Sequence, residues 1–134
     1  MKRLIFVFGF LICGAAIIYG SVERVLPPQV QSTAYQRYQN RPKNELSKLI
    51  YLMDRFKGTE YKVLYNQTEY DSETALQQAK NYIAKHYHQE DAIQWIQAHA
   101  YRSASGEIIY LKSTDGKTEI LRDALTHELK TLNS

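Results

Sequence analysis

The stretch YKVLYNQTEYDS, residues 61–72, decides the fold class. Tyr61-Lys62-Val63-Leu64-Tyr65 is short and rich in β-formers, so it is predicted to be a strand. Asn66-Gln67-Thr68 breaks it, because Asn accepts turn conformations that bulkier residues avoid. Asp71 or Ser72 then caps a helix, since a short oxygen-bearing side chain can accept from the free amides of a first turn. A strand, a break and a cap this close together point to an α+β chain.

Working outward, that helix is predicted to run to about Tyr87, with Ala75, Leu76, Ala79, Tyr82, Ile83 and His86 on its apolar face. Upstream, Leu46, Leu49, Ile50, Met53 and Phe56 recur at helical spacing. Asn44 is the expected N-cap, Glu45 suits the positive end of the helix dipole, and Gly58 is the expected stop. Downstream, a third helix is predicted from about Glu90 to Ala100, with Ala92, Ile93, Ile96 and Ala100 on its face and Trp95 at its edge. Arg102-Ser103-Ala104-Ser105-Gly106 reads as loop. Glu107 to Lys112 reads as a second strand, with Ile108 and Tyr110 on one face and Ile109 and Leu111 on the other. Asp115-Gly116 marks a turn, and Thr118 caps a last helix that buries Leu121, Ala124, Leu125, Leu129 and Leu132.

The predicted architecture is therefore a small single α+β domain over residues 43–134, in the order α-β-α-α-β-α. Its two-stranded sheet packs on helices, because two strands alone are not stable in water.

Ahead of it lie two further segments. Met1-Lys2-Arg3 is followed by LIFVFGFLICGAAIIY, Leu4 to Tyr19, without a charge. A basic tip before an apolar run is the pattern of an export segment, the cations staying on the cytoplasmic side while the apolar run enters the bilayer. Residues 1–20 are read as one hydrophobic helix, either a cleaved signal peptide or an N-terminal membrane anchor. The run is a little shorter than the ~20 residues of a comfortable span. Gly20-Ser21-Val22 extends it, whereas Gly14-Ala15-Ala16 and Ile18-Tyr19-Gly20 offer cleavage sites. Either way the expected location is exported: the periplasm, or the outer face of the inner membrane with residues 4–20 as the membrane contact.

Residues 21–42 are predicted to be a flexible polar linker. All three prolines, Pro27, Pro28 and Pro42, fall there, around the polar run QVQSTAYQRYQN.

Composition excludes several classes. The net charge of +3 loses two units with Lys2 and Arg3, leaving +1, too little to predict nucleic-acid binding. Cys13, in the leader, is the only cysteine, so the exported part can form no disulfide, thiol nucleophile or cysteine zinc site. Ile12 stands where a lipidation site wants a small residue. His86 and His88 are two apart and do not share a helix face, and His127-Glu128-Leu129-Lys130-Thr131 begins a metalloprotease pattern but ends in Thr. No glycine-rich phosphate loop occurs, so no metal or cofactor is expected. Asn66-Gln67-Thr68 fits a glycosylation sequon, which matters only in a eukaryotic secretory host.

Six features match short motifs elsewhere. The turn Tyr65-Asn66-Gln67 shares its Asn with an Arg-Asn-Gly-type turn, and Ala79-Lys80-Asn81-Tyr82-Ile83 shares its Ala with Ala-x-x-His-Leu. Trp95-Ile96, the loop Arg102 to Gly106, Tyr110 and the closing Leu-rich helix complete the set. On these residues, Glu45 to Leu132 resembles the YfeK-like family of small exported bacterial proteins of unknown function. The resemblance implies an envelope location and the helix and strand order above, and it implies no activity. The family's Arg and His, and a Cys before the first strand, have no counterpart here.

Eleven tyrosines are the compositional oddity, and Tyr combines a large contact area with a polar tip. The expected function is a non-enzymatic envelope module that binds a protein, or a cell-wall or lipid component. The candidate partner-binding surface is Tyr65, Asn66, Arg102, Ser103, Ser105 and Tyr110. A small hydrolase using His99 with Ser103 or Ser105 is one alternative, and it would need those groups to converge. A purely structural membrane-tethered protein is the other.

Overall fold

The computed structural model describes residues 25–27, 29 and 32–133. Its centre is the hairpin made by the stretch quoted above. Strand β1 (Lys62–Tyr65) turns through Asn66 and Gln67, with φ of 52° and 67°, and returns as β2 (Thr68–Asp71). Positive φ at both central residues is what a two-residue type I′ hairpin turn needs. A second hairpin joins β3 (Tyr110–Lys112) to β4 (Thr118–Ile120) through the expected Asp115-Gly116 turn, with Gly116 at φ +89°. The two hairpins pair through β1 and β3 in the order β2-β1-β3-β4, antiparallel throughout.

Five helices complete the described chain: α1 (Thr33–Gln39), α2 (Glu45–Phe56), α3 (Ser72–His86), α4 (Ala92–His99) and α5 (Leu121–Asn133). The observed order, α-α-β-β-α-α-β-β-α, corrects the expected α-β-α-α-β-α with its two-stranded sheet. Thr68–Asp71 was expected to be loop and cap, and Thr118 a cap. Both become short strands because each lies directly behind a tight turn that returns it to a partner strand. Four strands also remove the difficulty that two cannot stand alone.

The extra helix, α1, arises in the segment read as a flexible linker. Ser32 caps it by accepting from Tyr35 N, and Ala34 and Tyr38, one turn apart, are buried. The Tyr38 ring packs 5.8 Å from that of Tyr51 on α2. Before it, Val25, Leu26 and Gln29 are buried too. Val25 N donates to Glu119 Oε1 at 3.4 Å, and Tyr61 OH donates to Val25 O at 3.3 Å. Among the described residues of this segment, Val25, Leu26, Gln29, Ala34 and Tyr38 are buried against the domain.

The caps expected for α2 and α3 are present. Asn44 Oδ1 accepts from Ser47 N at 2.8 Å to open α2, and Asp71 Oδ1 accepts from Thr74 N at 2.8 Å to open α3. The chain leaves α2 through Gly58 at φ +74°. The buried face of α2 is rotated from the expected stripe: Leu49, Tyr51, Leu52, Arg55 and Phe56 are buried, while Leu46 is 45% exposed. Trp95, expected at a helix edge, is also in the core.

Among the described residues, no helix is long and apolar enough to cross a membrane. The leader, residues 1–20, lies outside the described residues.

Candidate functional site

Alternation along the strands gives the sheet two unlike faces. Val63, Tyr65, Tyr70 and Leu111 share one face with the buried Ile109; Leu64, Glu69, Tyr110, Lys112 and Ile120 share the other. On the outer face Lys112 Nζ pairs with Glu69 Oε2 at 2.9 Å. The inner face looks toward the helices, and there α3 behaves unlike the rest. Ser72 is its only buried residue; Ala75, Leu76, Ala79 and Ile83 are half-buried.

Those four residues border an apolar cavity of about 500 Å³ between α3, the inner sheet face, α2 and α4. Two of the four are alanines, whose short side chains leave the space unfilled. Leu49, Leu52, Phe56 and Leu125 line its deep end. Tyr65, Tyr82, His99, Arg102 and Ser103 also line it, and of these Tyr82, His99 and Arg102 are exposed and mark its rim.

An aromatic cluster spans α3 and α4 beside this rim. Tyr82 OH and His99 Nδ1 are 2.9 Å apart. The His99 ring stacks on Trp95 with centroids at 4.0 Å, and Tyr82 lies 5.9 Å from the same indole. His99 and Trp95, four residues apart on one helix, are thus in ring contact.

On the opposite rim the turn and the loop meet. Ser103 Oγ donates to Asn66 Oδ1 at 2.5 Å, and Ser105 Oγ to the same atom at 2.6 Å. The two hydroxyl oxygens are 2.9 Å apart. Arg102 forms an isolated bridge with Ile108, donates from Nη1 to Gly106 O at 2.9 Å, and lies over the Tyr101 ring at 4.7 Å.

The six residues of the expected surface do not form one patch. Tyr65, Arg102 and Ser103 line the cavity, while Asn66 and Ser105 tie its rim together. Tyr110 is on the outer sheet face, so the sheet stands between it and Tyr65. His99 and Ser103 both line the cavity, but among the described residues no hydrogen bond joins His99 to either serine: His99 is bonded to Tyr82 and stacked on Trp95, whereas both serines are bonded to Asn66. Among the described residues no group of His, Cys, Asp and Glu could hold a metal ion.

Two elements escaped the sequence reading. One is the cavity itself. The other is a buried polar group joining Gln29, Tyr51, Arg55 and Glu128. Arg55 Nε donates to Glu128 Oε1 at 2.9 Å, Tyr51 OH to the same oxygen at 2.8 Å, and Gln29 Nε2 to Tyr51 OH at 2.9 Å. Arg55 Nη2 also donates to Pro27 O. A signal existed, for Tyr51 and Arg55 are one turn apart on α2. No family model, curated protein or solved structure matches the chain.

Proposed function

We propose that the protein is an exported, non-enzymatic binding module of the cell envelope, whose cavity under α3 receives the apolar part of a ligand. One observation supports this above the others. A helix that only stabilises a fold buries its apolar stripe against protein. The stripe of α3 is only half-buried: Leu76 and Ile83 touch the core, yet Ala75, Leu76, Ala79 and Ile83 all border a cavity of about 500 Å³, within the range of small-molecule sites. The basic tip and apolar run of residues 1–20 support export. The hydrolase reading gains no support, because His99 and the serines are engaged with other partners.

Trp95 is the only tryptophan and lines the cavity, so it reports on this site and not on the leader. Titration of the full chain with the apolar dye N-phenylnaphthylamine should give saturable energy transfer from Trp95. Ala79→Phe, which fills the space, should abolish the transfer while leaving far-ultraviolet circular dichroism unchanged. Transfer that fails to saturate, or that survives Ala79→Phe, overturns the proposal.

A further inference from the structure

We infer that the cavity's occupant is a single-chain amphiphile with an anionic head, a fatty carboxylate being the simplest, its head at Arg102 and its tail toward Leu49 and Leu125. The inference rests on the binding reading above and adds the class of ligand.

Charge complementarity carries it. Of the described residues lining the cavity, Arg102 is the one with a permanent charge, and none of them carries a carboxylate. A guanidinium has five donors in a fixed fork. Arg102 spends one, on Gly106 O, and among the described residues no Asp or Glu forms an ion pair with it. Beneath it the Tyr101 ring also receives Arg122, whose guanidinium carbon lies 3.8 Å from the ring centroid. Arg122 is paired with Asp123 at 3.1 Å and does not line the cavity, which leaves Arg102 as the cation among its described lining residues. Such a fork suits a carboxylate or a phosphate, which it can grip through two parallel bonds.

The rest of the lining selects the tail. It passes from the exposed Tyr82 and His99 to the buried Leu52, Phe56 and Leu125, with no buried charge among the described lining residues. About 500 Å³ sits in the lower half of the usual small-molecule range, which suits one chain better than two. A cationic amphiphile would place its head against Arg102, and a neutral one would leave the fork unused.

The test uses the full chain in phosphatidylcholine nanodiscs, with Trp95 emission as readout and dodecanoate, dodecanol and dodecyltrimethylammonium as probes. Dodecanoate should bind about tenfold more tightly than dodecanol, the effect of one charge-assisted contact. Dodecyltrimethylammonium should bind more weakly than dodecanol, a comparison that needs no variant. Arg102→Gln should remove the preference for dodecanoate and leave dodecanol binding as it was. If dodecanol binds as tightly as dodecanoate, or Arg102→Gln keeps the preference, the ligand class is wrong. The binding reading then survives provided Ala79→Phe still abolishes both. If no probe reaches Trp95 saturably, both are wrong.

Discussion

Arg55 Nε lies 2.9 Å from Glu128 Oε1 in the interior, with side-chain exposures of 2% and 7%, and so joins α2 to α5. The pair is also the point to which the N-terminal segment is fastened, through Pro27 O and Gln29. Burial, together with the Glu128 carboxylate, pushes the Tyr51 hydroxyl above its ordinary pKa, which keeps its proton available to Glu128.

Truncating one partner therefore leaves a charge buried without its mate. Arg55→Met is expected to destabilise the domain by about 3–5 kcal/mol. Arg55→Met with Glu128→Leu should recover much of that loss, because no charge is then stranded. Urea denaturation of the parent, the single variant and the double variant checks this. A single variant as stable as the parent would mean that the pair is not desolvated as described.

Glu45 links α2 to α4. Its Oε1 accepts from Ala92 N at 2.7 Å and its Oε2 from Lys48 Nζ at 2.8 Å. The Ala92 amide, and then Lys48, hold its carboxyl below the ordinary value of 4.5. A carboxylate lowered on folding contributes stability that is complete above the unfolded pKa and is lost as pH falls through the folded one. Glu45→Gln should thus flatten the fall of Tm with acid below about pH 5. An acid limb as steep as the parent's would exclude Glu45 from it.

The β1–β2 turn holds Gln67 at φ 67°, a conformation that costs a side-chain-bearing residue about 1–2 kcal/mol. Gln67→Gly should raise stability by up to about 1 kcal/mol. The bond lost, Gln67 Nε2 to Glu107 at 3.2 Å, is exposed and offsets little. Thermal unfolding decides it, and a lower Tm would show that the Glu107 contact outweighs turn strain.

Tyr82 and His99 tie α3 to α4 across the rim of the cavity. Tyr82→Phe keeps the ring packing and deletes the bond, so global stability should fall by no more than about 1 kcal/mol. Amide exchange should quicken in α3, which lacks a buried apolar face, and not in α5. Equal acceleration in both helices would argue that the bond supports the whole fold and not one helix.

What could be read from the residues alone is what depends on near neighbours in the chain. Asn44 and Asp71 cap helices because their acceptors reach amides three residues on. The apolar alternation of Ile109 and Leu111 and the stripe of Ala124, Leu125 and Leu129 likewise need only their own backbone period. Tertiary structure decided the remainder. Whether Thr68–Asp71 and Thr118–Ile120 are strands depends on partners the chain must fold back to find. That Tyr65 and Tyr110 lie on opposite faces follows from the pairing of Leu64 with Tyr110, fixed only when distant strands come into register. A cavity has no residue pattern at all: it is volume that Ala75 and Ala79 leave unfilled once α3 is laid across the sheet. The burial of Arg55 against Glu128 has the same origin, because a charge is tolerated inside only where a distant element brings its counter-charge.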